Sequence, residues 1–298
     1  MATELTPGYA AELHIVLKTA ATQLGLDATG AELIRYTVNA VYRLPATRVI
    51  ARIGIGTPGL FRAPRLVHIA RWLAERDAPI VQLIDGPQPV IVDDKYAVTF
   101  WHELSTETIW TAEDLAAPLR ELHQLTPAPT LPHWDPFGHA RRRLAAADPA
   151  LPANDLEWLH TQWATVEHQY NDYRSLMPTG IVHADPHIGN LLRDNLGRVV
   201  LCDLDGTGIG PLAWDLVPQA VGARRFARAQ FYHDFVVAYG TDVTIEPYWP
   251  VLSRIRELIA VTSVVPQLAT RPDIAAEHAH RLRTLREDRP DVTWHLYQ

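Results

Sequence analysis

Two short stretches of the 298-residue chain set chemically capable side chains at fixed spacing. IVHADPHIGNLL (181–192) supplies His183, Asp185 and, after four intervening residues, Asn190. VVLCDLDGTGIGP (199–211) supplies Asp203 and Asp205 where an apolar, β-branched run gives way to glycines. Aspartates at the mouth of a buried strand hold a cation or attack a phosphorus atom. In the first case a hairpin turning at Asp194–Gly197 brings Asp203 back beside Asn190, and an amide oxygen and a carboxylate share a hard cation such as Mg²⁺. Asp185 then accepts the proton of an incoming hydroxyl, the division of labour found in phosphoryl transfer. Asp205 is there a second metal contact or a loop hydrogen bond. In the second case Asp203 is a nucleophile that attacks phosphorus. The chain has only two lysines, Lys18 and Lys95, both upstream of this segment. HADPH (183–187) admits a third chemistry, a transition-metal site, but further ligands at sensible spacing are not evident.

The surrounding elements must position these groups. Helical spacing over 9–24 with a stop at Gly25 predicts a leading helix, followed by β-type runs at 34–44 and 47–55 around a turn at Pro45. GIGTPG (54–59) reads as a loop, with a helix from about Pro64 to Arg76. Two more strands are expected at 89–93 and 96–104, joined at Asp94-Lys95. After residue 104 the texture turns helical, over 112–125, 135–147 and 154–176, and again in the C-terminal third. Leu159, Trp163, Val166 and Tyr170 share one face of the last of the three, as core or as the wall of a pocket. The pattern describes a small β-rich lobe followed by a larger helical one, with the junction near 101–106.

Composition narrows the function. Apolar content of 47% with 20% charged residues suits a globular protein, and no apolar run is long enough to span a membrane. MATELTPGYA carries no secretion signal and Cys202 is the single cysteine, so a cytoplasmic protein without a disulfide framework is expected. A net charge of −7 argues against nucleic acid and mildly favours a cationic or metal-bridged ligand.

His-x-Asp-x4-Asn followed by Asp-x-Asp resembles the signature of the aminoglycoside phosphotransferases and choline kinases, relatives of the protein kinases. The resemblance implies an α+β, protein-kinase-like two-lobed fold: a β-rich nucleotide-binding lobe at 1–103, with a leading helix within 1–30, and a helical catalytic lobe at 104–298. It makes Asp185 the catalytic base, His183 a support of its loop, and Asn190 and Asp203 magnesium ligands, with Asp205 beside them. It places Asp215 of GPLAWDL as a brace of the catalytic loop and Arg52 of VIAR at the phosphate-binding lysine position. TVNAVYRL (37–44) becomes the strand-turn-strand over the nucleotide, with Asn39 helping to hold phosphates, and Phe100, Trp101 and His102 become the hinge that bonds the purine. The chain departs from the family pattern in Ala184, where glycine is usual, and in the helix after Arg52. That helix offers no early glutamate to pair with the cation, only a late Glu75 and an inward-facing His68. Asp-x-Asp-Gly-Thr also matches haloacid dehalogenase-type phosphatases, the family form of the nucleophile alternative.

The function implied is ATP- or GTP-dependent, Mg²⁺-assisted O-phosphorylation of a small, hydroxylated and possibly cationic molecule. An aminoglycoside or basic peptide antibiotic is the first expectation, making a resistance enzyme. A primary-metabolite kinase (choline, homoserine, an amino sugar) or a nucleotide-binding pseudokinase is the alternative.

Overall fold

The computed structural model describes residues 6–106 and 109–297, so the first five residues of the leading segment, and 107–108 and 298 of the expected second lobe, lie outside the described residues. The chain forms two compact units, Met1–Ile109 with Asn190–Asp205, and Trp110–Gly189 with Gly206–Gln298. The fold is the α+β, protein-kinase-like one that the motifs implied.

From the N-terminus the first unit holds α1 (Pro7–Gln23), β1 (Glu32–Tyr36), β2 (Asn39–Leu44), β3 (Val49–Ile55), α2 (Gly56–Ala74), β4 (Val90–Val92) and β5 (Tyr96–His102). The chain then enters the second unit through α3 (Ala112–His123), α4 (Pro136–Ala145), α5 (Ala153–Tyr173) and β6 (Thr179–Val182). It returns to the first for β7 (Leu191–Arg193) and β8 (Val199–Leu201), and finishes in the second with β9 (Gly208–Pro211), α6 (Val217–Arg225), α7 (Ala229–Tyr239), α8 (Trp249–Thr262) and α9 (Pro272–Arg286).

In the first unit the strands form one antiparallel sheet in the order β1-β2-β3-β5-β4. Leu13, Val16, Leu17 and Ala20 of α1 form a core with Ala51, Ile53, Val98 and Phe100 of the sheet. β5 is buried at six successive positions, Tyr96 to Trp101, because α2 packs on it as well. Period-2 alternation puts Arg52, Gly54, Ala97 and Thr99 away from the α1 face. The β7–β8 hairpin belongs to this unit because Leu201 exchanges backbone bonds with Pro79 and Val81, and Arg193 with Ser105.

Two expectations are corrected here. The run 34–44 is not one strand: it turns at Thr37-Val38, and β1 forms a separate edge strand whose first four residues are exposed, so it carries no alternating signal. The helix after β3 begins at Gly56 rather than near Pro64, which lies inside it and removes only one intrahelical bond. Gly54 and Gly59 are contact glycines: a Cβ on Gly59 would stand 2.3 Å from the Gly54 carbonyl carbon, so helix and strand meet backbone to backbone.

In the second unit β6 and β9 pair antiparallel, and α5, α6 and α4 pack on α8 while α7 packs on α3 and α6. Leu159, Trp163 and Val166 are buried and Tyr170 half-buried, so this face of α5 is core. Its rings join an aromatic cluster: Phe137–Trp163 at 6.1 Å, Phe137–Tyr170 at 5.4 Å, Trp134–Tyr170 at 5.6 Å and Trp134–Trp214 at 4.7 Å.

Gly59→Ala is expected to destabilise the protein by about 1–3 kcal/mol, the usual cost of forcing atoms into a filled contact. Urea denaturation would show a lower midpoint at unchanged slope. An unchanged midpoint would mean that α2 yields at no cost.

Candidate active site

The loop at His183-Ala184 in the second unit is held by one carboxylate. Asp215, which is 0% exposed, accepts the backbone N–H of His183 at 2.6 Å and of Ala184 at 2.8 Å. His123 Nε2 lies 3.0 Å from the same carboxylate, and its Nδ1 lies 2.7 Å from the Tyr239 hydroxyl. The indole of Trp214 donates to the Ala184 carbonyl and Gln219 donates to the Pro186 carbonyl. With these groups fixed, Ala184 takes a left-handed φ of 77°, a conformation that favours the glycine usual at this position.

Asp185 is thereby presented with its side chain 53% exposed. Arg256 of α8 reaches its Oδ1 at 2.8 Å, and His187 Nε2 faces its Oδ2 at 4.0 Å. Partial burial opposes ionisation, but Arg256 and His187 outweigh it and hold the Asp185 carboxyl below its ordinary value, so it is a carboxylate at neutral pH. Burial pushes His187 below the ordinary imidazole value against the pull of Asp185. His187 Nδ1 accepts the Gly189 N–H at 3.0 Å, which assigns the ring proton to Nε2, on the Asp185 side.

In the first unit the β7–β8 hairpin does what its spacing predicted. Leu191 pairs with Leu201, and the Cys202 N–H donates to the Asn190 carbonyl at 2.9 Å, so Asn190 and Asp203 stand at the two feet of one hairpin. Asn190 is buried, while Asp203 is exposed with φ 61°, a left-handed conformation that aspartate tolerates better than most residues. An amide oxygen and a carboxylate are hard donors suited to Mg²⁺. Among the described residues no three His, Cys, Asp or Glu side chains are grouped so as to hold a metal ion.

Arg52 projects from β3 and is ion-paired with Asp205. With the Asn39 amide oriented oxygen-first, its oxygen accepts from Arg52 Nη2 at 2.7 Å and Nε at 3.2 Å. Arg52 is therefore held by a residue two places after Asp203, instead of by the helix that follows β3. On that helix His68 is exposed rather than inward-facing, and the exposed Glu75 lies 3.5 Å from Arg76. Burial opposes ionisation of Asp205, yet the charge and hydrogen bond of Arg52, with a smaller pull from Arg62, hold its carboxyl below the ordinary value.

The hinge assignment is corrected. Phe100 is 0% exposed, its N–H donates to Gln88 Oε1 at 2.7 Å, and its carbonyl accepts from Ile84. The His102 N–H donates to the Gln82 carbonyl, and Trp101 is 8% exposed with its indole bonded to Thr99. The Phe100 and His102 amides are used inside the protein, so neither is left to meet a purine.

Sequence reasoning named neither Arg256 nor His123. Arg256 lies next to the buried Glu257 on an otherwise apolar helix face, and His123 sits in the last turn of α3. Nothing local in either helix marks them.

The family described as "Phosphotransferase enzyme family" (APH) matches residues 58–258. No curated protein matches the chain by sequence. Among solved structures, choline kinase LicA from Streptococcus pneumoniae is similar over 93% of this chain and 98% of its own, at 13% identity and a TM-score of 0.67. An aminoglycoside phosphotransferase from Streptomyces rimosus is similar over 82% and 97%, at 20% identity and a TM-score of 0.57. Spectinomycin phosphotransferase, solved with ADP and spectinomycin, is similar over 93% of each chain, at 15% identity and a TM-score of 0.60. At these identities the likenesses establish the fold.

The Asp205–Arg52 pair has a signature in acid. Because the folded-state pKa of Asp205 is depressed, its contribution to stability is fully present above the ordinary carboxylate value and is lost as pH falls through the depressed one. Asp205→Asn is expected to be less stable by about 1–2 kcal/mol at neutral pH, with the gap closing in acid. Denaturant midpoints of both proteins across that range test this; a gap that does not change with pH would contradict the ion pair.

Proposed function

Because the chain belongs to the APH phosphotransferase enzyme family, we propose that it transfers the γ-phosphoryl group of ATP to a hydroxyl of a small molecule, with Asp185 as the base. The observation that carries this is the braced loop: a half-exposed carboxylate, held ionised, on a backbone fixed by the buried Asp215. Adenine is favoured as the donor base by the ADP bound in the related spectinomycin phosphotransferase.

In the reaction the acceptor O–H gives its proton to an Asp185 oxygen as its own oxygen bonds the γ-phosphorus. The bond from that phosphorus to the bridging oxygen breaks, and its electron pair leaves with the nucleoside diphosphate. Asn190 and Asp203 are the residues that would hold magnesium, which when bound neutralises charge on the phosphates. Arg52 is the guanidinium for phosphate, able to form two bonds at once where a lysine would offer a point charge. Asn39 and Asp205 keep it oriented.

A pseudokinase would have no use for a braced, ionised Asp185. The acceptor class is open on family grounds alone, since the related structures include a choline kinase and antibiotic kinases, so a resistance role and a metabolic one use the same machinery.

Asp185→Asn is expected to lower kcat by about 10²–10⁴-fold, the range for loss of a general base, with Mg-ATP binding retained. Asp203→Ala should instead lose Mg-ATP affinity, read by calorimetry without turnover. Turnover of Asp185→Asn within a few-fold of wild type would overturn the assignment of the base.

A further inference from the structure

The charges around Asp185 are wrong for a cation. Arg256 approaches it directly, is 24% exposed, and contacts the carboxylate through Nη1. A guanidinium has five N–H donors in a planar fork, so it can hold a protein carboxylate on one side and a ligand oxyanion on the other. Glu257, the next residue on α8, is buried and neutralised by Arg224 at 2.9 Å and Arg225 at 2.6 Å. It therefore cannot serve an ammonium group. Exposed Arg228, just before α7, acts electrostatically on His187 together with Arg256. Arg224 and Arg225 are thus taken up by Glu257, which leaves Arg256 as the guanidinium on Asp185 and Arg228 as a further positive charge acting on His187.

We propose that the acceptor is an anion, a small hydroxylated carboxylate or phosphate ester, whose oxyanion is held by Arg256, with Arg228 adding to the field, while its hydroxyl faces Asp185. This deepens the phosphotransfer reading and rests on it. It also turns away from the cationic acceptor that the family resemblance implied. An ammonium group set beside Asp185 would lie against the same guanidiniums, whereas a carboxylate or phosphate satisfies donors that Asp185 leaves available.

The test is equilibrium binding to enzyme loaded with a non-hydrolysable Mg-ATP analogue, followed by turnover with Mg-ATP. The probes are gluconate and glycerate as hydroxy acids, glucose 6-phosphate and glycerol 3-phosphate as phosphate esters, glucose and glycerol as uncharged partners, and choline and spectinomycin as cations. Anions are expected to bind more tightly than their uncharged partners, and the better arm identifies carboxylate or phosphate. Arg256→Gln should weaken anion binding at least tenfold more than it changes the binding of glucose and glycerol. Arg228→Gln, at an exposed position where folding is not at risk, should weaken it by a smaller factor. Preferential binding of choline or spectinomycin would overturn the proposal. So would an Arg256→Gln variant that lowers kcat for every acceptor equally without changing anion affinity, because Arg256 would then serve the transferred phosphoryl group. Anion binding without formation of a phosphate ester would leave the oxyanion site standing and sink the phosphotransfer reading instead.

Discussion

A carboxylate costs roughly several kcal/mol to remove from water unless donors surround it. Asp215, at 0% exposure, is surrounded by the amides of His183 and Ala184 and by the His123 imidazole. The three contacts satisfy the charge and at the same time dictate the backbone before Asp185. Ala184 is held in a left-handed conformation that costs an L-residue about 1–2 kcal/mol, and the strain persists because the loop is bonded on several sides. Asp185 then emerges on a fixed backbone into a half-exposed setting. The arrangement converts one buried charge into the placement of one reactive charge, with the aromatic core of Trp134, Phe137, Trp163 and Trp214 as its rigid bed.

The first unit solves a related problem differently. Arg52 on β3 takes its partner from the Asp-x-Asp segment and not from the helix that follows the strand. The neighbouring helix supplies no carboxylate to Arg52, and its glycine contact with β3 sets how closely helix and strand approach. Arg52 and the hairpin are thereby tied together: Asp205 orients Arg52, and Asp203, two residues earlier, stands at the hairpin foot beside Asn190.

What was legible in the sequence is local. The placement of Asn190 and Asp203 at the two feet of one hairpin was legible because a hairpin is a short-range object whose turn at Asp194–Gly197 sets its own register. Asp215 was found by its place in a motif. What was missed depends on partners distant along the chain. Arg52 and Asp205 are separated by 153 residues, and no periodicity reports such a pair. The Phe100 amide looked available for a purine until the side chain of Gln88 was seen to occupy it. GIGTPG looked like a loop because glycine serves turns and close contacts alike, and only packing distinguishes them. Arg256 looks like any polar residue on an amphipathic helix. Its meaning comes from the fold that brings Asp185 to it.

The most direct test of the account is the pH dependence of the chemical step, measured by single-turnover transfer from Mg-ATP in wild-type enzyme. If Asp185 is the base, its depressed pKa keeps it competent well into acid, and the rate stays level from neutral pH down to below the ordinary carboxylate range before it falls. A rate that instead fell through the imidazole range would assign the proton to a histidine such as His187 and contradict the central role given to Asp185.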